Sequence, residues 1–90
     1  MNNKIAIESL SLDLMRVALG YHRGSIKMAE RFSQEAKLRI QEIDATQIKP
    51  YFSLLLNNIV RTLDNSDSNL VAEDSLMYST RCKNYAKHFC

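Results

Sequence analysis

Residues 70–89 read LVAEDSLMYSTRCKNYAKHF, and they set Val71, Ser75, Tyr78, Cys82, Tyr85 and Phe89 at intervals of 4-3-4-3-4. Alternating steps of three and four put side chains on one side of an α-helix, so this segment predicts a helix with one packing face. Glu73 and Asp74 stand in its first turns, and Arg81, Lys83, Lys87 and His88 toward its end. That order complements the helix dipole. Tyr78, Tyr85 and Phe89 are read as core packing with the two hydroxyls at the rim, a reading preferred to a ligand pocket. Ser75 lies on the same stripe and, if buried, is expected to bond back to a backbone carbonyl.

Working backwards along the chain, residues 64–69 (DNSDSN) are wholly polar and form a connection with several residues able to cap the next helix. Before it, Phe52, Leu55, Leu56, Ile59, Val60 and Leu63 share a face, with Tyr51 at its edge. Pro50 suits the first position of that helix and turns Lys49 away from helical geometry. Leu54 falls among its outward residues. The segment before residues 44–49 is amphipathic: Met28, Ala29, Phe32, Ala36, Ile40 and Ile43 face inward. Lys27, Glu30, Arg31, Gln34, Lys37, Gln41 and Glu42 form a solvated face. Glu35 and Arg39 are oriented as an i,i+4 ion pair.

The first segment differs from the others. Ile7, Leu10, Leu14, Val17 and Tyr21 make one stripe, and Leu12, Met15 and Leu19 a second on another side. Its polar arc is narrow, limited to Ser9, Asp13, Arg16 and Gly20. A helix apolar most of the way round is buried on more than one side, so this one sits centrally or offers its second stripe to another chain. Ile5 and Ile7 alternate with Ala6 and Glu8, which also suits a short extended arm. Gly24 is placed to end the helix in the left-handed conformation, and Ser25 to cap the next. Gly20 lies inside the helical pattern at a cost of about 1 kcal/mol relative to Ala, which a close helix–helix approach would offset.

These segments predict an all-α fold, an antiparallel up-down-up-down four-helix bundle with helices near residues 4–22, 25–43, 50–64 and 70–89. The chain ends then share one pole with residues 44–49. Residues 20–25 and 64–69 share the other. A chain of 90 residues makes one domain, here spanning residues 1–90. The apolar share of 46% and charged share of 24% are those of a folded protein. No run reaches the ~18 apolar residues of a membrane span. The first residues lack the uninterrupted apolar stretch of a signal peptide, so a cytoplasmic protein with no membrane partner is expected.

Little in the sequence points to chemistry. No Cys-x-x-Cys, His-Glu-x-x-His or Glu-x-x-His occurs, so no metal is expected. With two glycines no phosphate cradle can be built, and no cofactor is expected. Cys82 and Cys90 are eight residues apart, or ~12 Å along one helix, beyond disulfide reach. Cys82 reads as a small core residue and Cys90 as an exposed thiol. The net charge of +2 is spread along the chain, and the aromatic residues do not interleave with Lys or Arg, which argues against nucleic acid.

Two pairs resemble a motif of HEPN-class helical ribonucleases, an Arg followed after four to six residues by a His. Arg16 and His22 have five residues between them, and Arg81 and His88 have six. The resemblance covers only these pairs and the all-helical background. The polar residue usual after the Arg is missing, since Val17 and Cys82 stand there. It implies a ribonuclease or toxin-type domain in which Arg stabilises phosphate charge and His transfers a proton.

The stronger signal is surplus apolar surface. Leu12, Met15, Leu19, Leu54 and Met77 exceed what a four-helix core needs, and such patches mark partner surfaces. The sequence therefore points to a non-enzymatic interaction or structural module that forms a homodimer or docks a helical partner. The ribonuclease reading stands second.

Overall fold

A computed structural model describes residues 3–90. Four helices follow one another: α1 (Asn3–His22), α2 (Ile26–Glu42), α3 (Pro50–Leu63) and α4 (Ser68–Phe89), with a short 3-10 turn, Ala45–Gln47, before α3. The antiparallel bundle is as the apolar spacing predicts, with boundaries shifted by one or two residues. The extended arm is not formed: residues 3–8 are the first turns of α1. Ile7 is enclosed and Ile5 open, an alternation that a helix reproduces because the two positions lie about 200° apart around it.

The caps follow local chemistry. Gly24 has φ +74°, a conformation that costs a residue with a Cβ, and its N–H closes the end of α1 on the Tyr21 carbonyl at 3.1 Å. The Ser25 hydroxyl accepts from the Met28 N–H at 3.3 Å. Asp67 caps α4 by accepting from the Asn69 and Leu70 N–H groups at 3.1 and 3.3 Å. Pro50 begins α3. The Asp44 carboxylate accepts from both the hydroxyl and the N–H of Thr46, which holds it below the ordinary carboxylate pKa.

The poles close as the topology requires. The Asn3 amide donates to the Asp44 carbonyl at 3.0 Å, and the Asp44 N–H donates back to Asn3 Oδ1 at 2.9 Å. At the same pole the Lys49 N–H donates to the Tyr85 hydroxyl at 3.0 Å. Tyr85 thus lies buried with its hydroxyl spent on the connection before α3. Ser75 departs from expectation: its Oγ is buried without a hydrogen-bond partner.

The bundle is not symmetric. α1 lies along both α2 and α4, whereas α3 meets α4 and α2 sparingly. Residue size explains the difference. On α4, Ala72, Ser75, Ser79, Cys82 and Ala86 are all buried and recur at intervals of 3-4-3-4. They form a stripe of small side chains that admits α1 closely. There the Ser11 and Ser79 hydroxyls each donate to the other's backbone carbonyl at 2.7 Å. On the other flank of α1, Gly20 lies against Ala29 of α2, and a Cβ at residue 20 would stand 2.7 Å from the Ala29 backbone nitrogen. The close approach expected at Gly20 is therefore real. Large side chains sit on the α3 side instead, where Phe52, Leu55, Leu56, Ile59 and Leu63 fill the core.

The two glycines should both resist substitution, for different reasons. Gly20→Ala gains helix propensity, yet drives a methyl into backbone that cannot swing away, and is expected to destabilise by a net ~1–2 kcal/mol. Gly24 has open space around it, so Gly24→Ala should cost ~1 kcal/mol through φ alone, and Gly24→Asn less. Urea unfolding of the three variants checks both statements.

Candidate functional site

The five residues singled out as surplus apolar surface do not form one patch. Leu12 (49% exposed) and Met15 (41%) lie on the outer side of α1, with half-buried Leu19 one turn beyond. Leu54 (65%) and Met77 (41%) belong to α3 and α4. The α1 group gains Ile5, at 67% exposure the most open large apolar residue among the described residues. Leu76 is also exposed. The antiparallel register set by Ser11 and Ser79 carries it to the α4 flank level with Met15. Sequence reading passed over both: Ile5 was weighed as part of an extended arm, and Leu76 has only Ala72 beside polar Glu73, Ser79 and Thr80 at helical spacing.

Around α1 the narrow polar arc is only partly turned to water: Arg16 is exposed and Ser9 half-buried. Asp13 and Gly20 are buried, turned toward α2. The Asp13 carboxylate stands 3.7 Å from Arg39 Nε and 3.9 Å from an Arg16 terminal nitrogen. Arg39 continues to Glu42 at 3.2 Å. The expected Glu35–Arg39 pair is not formed: the guanidinium lies between the buried Asp13 carboxylate across the interface and Glu42 on its own helix. Arg16 also lies over the Phe32 ring at 5.3 Å. Burial pushes the Asp13 carboxyl above its ordinary 3.8, with Arg39 first and Arg16 second opposing the shift and Glu35 adding to it. Burial wins because Asp13 Oδ2 and Arg39 Nε lie too far apart to hydrogen-bond.

Between α3 and α4 the sparing contact opens a cleft of about 440 Å³. Its floor is aromatic. Phe52 and Tyr85 stack with centroids 3.8 Å apart and planes at 14°, Tyr51 meets Tyr85 edge-on at 5.9 Å, and Phe89 lies 5.1 Å from Tyr85. The Lys49 ammonium covers Phe89 from the pole at 4.9 Å. Rings of this size hold the axes of α3 and α4 apart where the small stripe draws α1 in. The walls carry Leu54 and Asn58 from α3, and Arg81, Asn84 and His88 from α4. Met77, Arg81, Asn84 and His88 recur at 4-3-4 intervals, a second stripe offset from the core stripe and legible in the sequence by the same rule. Among the described residues no Asp or Glu lines the cleft.

The two Arg–His pairs have different fates. Arg16 is committed to Asp13 and Phe32 at the α1–α2 contact, while His22 is the exposed last residue of α1. Arg81 and His88 line one cleft. The pairs lie toward opposite poles and form no joint site within one chain. Cys82 is buried in the core, where desolvation pushes its thiol up to about 12, too high for a nucleophile at neutral pH. Cys90 is exposed and free. Among the described residues no group of three His, Cys, Asp or Glu is arranged to hold a metal ion, and no helix is long and apolar enough to cross a membrane. Comparison with protein-family models, curated proteins and solved structures found no match to this chain.

The Asp13 cluster sets a pH dependence with a definite sign. A carboxyl whose pKa rises on folding stabilises the fold fully below its unfolded value, and that contribution is lost as pH rises through the folded value. The stability of the wild type relative to Asp13→Asn should therefore fall from acid toward neutral pH. Arg39→Met, which leaves Asp13 with only Arg16, should cost more at neutral pH than in acid. Urea unfolding over a pH series measures both trends.

Proposed function

We propose that this chain is an interaction module that self-associates through the outer face of α1. One observation carries the reading. α1 is enclosed by α2, by α4 and by the core, yet its remaining side holds Ile5, Leu12 and Met15 open to solvent. Stave helices of an isolated bundle place charged residues there. On this side α1 carries Glu8 between the apolar residues, with Lys4 and Arg16 at its edges.

The spacing of these residues favours a second copy as the partner. Two α1 helices laid antiparallel about Leu12 set Ile5 of one copy level with Leu19 of the other. The same register sets Glu8 level with Arg16. The Ile5–Leu19 and Glu8–Arg16 matches are complementary in apolarity and in charge sign, as a two-fold interface demands, while Met15 falls level with Ser9. A helical partner with the same apolar spacing would use the same face.

Sedimentation velocity under reducing conditions, which excludes a Cys90 bridge, tests the reading. The wild type should sediment as a dimer. Leu12→Glu places two carboxylates at the two-fold and should weaken association by at least about tenfold, or ~1.4 kcal/mol. Leu54→Glu, on the other side of the bundle, should leave it unchanged. A wild type that stays monomeric at high concentration defeats self-association.

A further inference from the structure

The cleft between α3 and α4 lies apart from the outer face of α1 and plays no part in the proposed self-association. Its composition is that of a ligand site more than of a loosely packed seam. At about 440 Å³ it falls within the roughly 300–1,000 Å³ of small-molecule sites. Its apolar surface comes from Tyr51, Leu54 and Phe89, all large and all more than half exposed. Rings left open in this way offer a flat surface on which another ring can stack.

The polar groups of the cleft have one sign. The Arg81 guanidinium forms no ion pair among the described residues, in contrast to Arg16 and Arg39, which are both engaged with Asp13. It stands on the same wall as the His88 imidazole, and among the described residues no carboxylate lines the cleft to neutralise it. A guanidinium presents a planar fork of N–H donors that matches a carboxylate, sulfonate or phosphate in bidentate fashion. Asn84, midway between Arg81 and His88 on the same stripe, adds an amide donor.

We propose that the α3–α4 cleft binds a small aromatic anion. The ring of the ligand lies against Tyr51, Leu54 and Phe89, and its acidic group is held by Arg81 with support from Asn84 and His88. Both halves of the ligand are required. An inorganic anion leaves the aromatic wall wet, and a neutral ring leaves Arg81 unmatched.

The test is a fluorescence titration with anilinonaphthalene sulfonate, an aromatic sulfonate, beside the uncharged N-phenylnaphthylamine. The wild type should bind the sulfonate at least about tenfold more tightly than the neutral ring. Arg81→Met keeps the aliphatic stem and removes the charge, and should abolish that preference. Leu54→Asp should weaken both probes. Leu12→Glu should change neither, which separates failure of this proposal from failure of the self-association reading. Backbone amide NMR shifts on titration should centre on Tyr51, Leu54, Arg81, His88 and Phe89. Equal binding of the two probes, an unaltered preference in Arg81→Met, or shifts centred on α1 overturns the proposal. So does a short single-stranded RNA that displaces the sulfonate and is cleaved by the wild type but not by His88→Ala, an outcome that assigns the cleft to nucleic acid.

Discussion

The closeness of α1 to both of its neighbours is the constraint on which the rest of the structure depends. At one end Gly20 leaves no room for a Cβ beside the Ala29 backbone. Along the other flank, Ser11 and Ser79 exchange hydrogen bonds with each other's carbonyl oxygens. Two such contacts make α1 the spine of the bundle, with α2 and α4 pressed against it, and α3 closes the core more loosely against α4 and α2. The asymmetry follows from side-chain size: small residues let helices approach, and the aromatic rings of Phe52 and Tyr85 keep α3 and α4 apart.

Close approach brings polar groups into places from which water is removed. The Ser11–Ser79 exchange satisfies both hydroxyls, so it fixes register at small cost. The Asp13–Arg39 pair is less complete. It keeps opposite charges together across the α1–α2 contact, yet its geometry falls short of a hydrogen bond, and desolvation governs the carboxyl. Buried ionic pairs of this kind add little stability over apolar residues of the same size. Their effect here is to tie one alignment of α1 on α2, since sliding either helix by a turn separates the charges.

The same asymmetry leaves two surfaces. Because α1 is already held on three sides, its fourth side is free to meet another helix. Because α3 stands off from α4, an aromatic-floored cleft with an unneutralised arginine opens on the far side. Leu54 lines this second surface, and Met77 stands on the same α4 stripe as Arg81 and His88, although sequence reading named both beside Leu12, Met15 and Leu19. A linear pattern registers that a residue departs from the core stripe of its own helix. It carries no information on which departures from different helices end up side by side.

What the sequence determined by itself was local and periodic. Intervals of three and four defined all four helices. Gly24, Ser25 and Pro50 marked their ends through backbone and capping chemistry that needs no distant partner. Gly20 announced a close contact, because a glycine inside a helix needs such compensation. Tertiary structure decided everything that depended on which surfaces met. It buried Asp13, set Arg39 between Asp13 of another helix and Glu42 of its own, left Ser75 Oγ without a partner, and placed Leu54 on a different element from Leu12 and Met15. The physical reason is that periodicity fixes the direction of a side chain around its own axis, whereas burial and charge pairing depend on how closely neighbouring axes can approach. That distance is set by pairs of residues far apart in the chain.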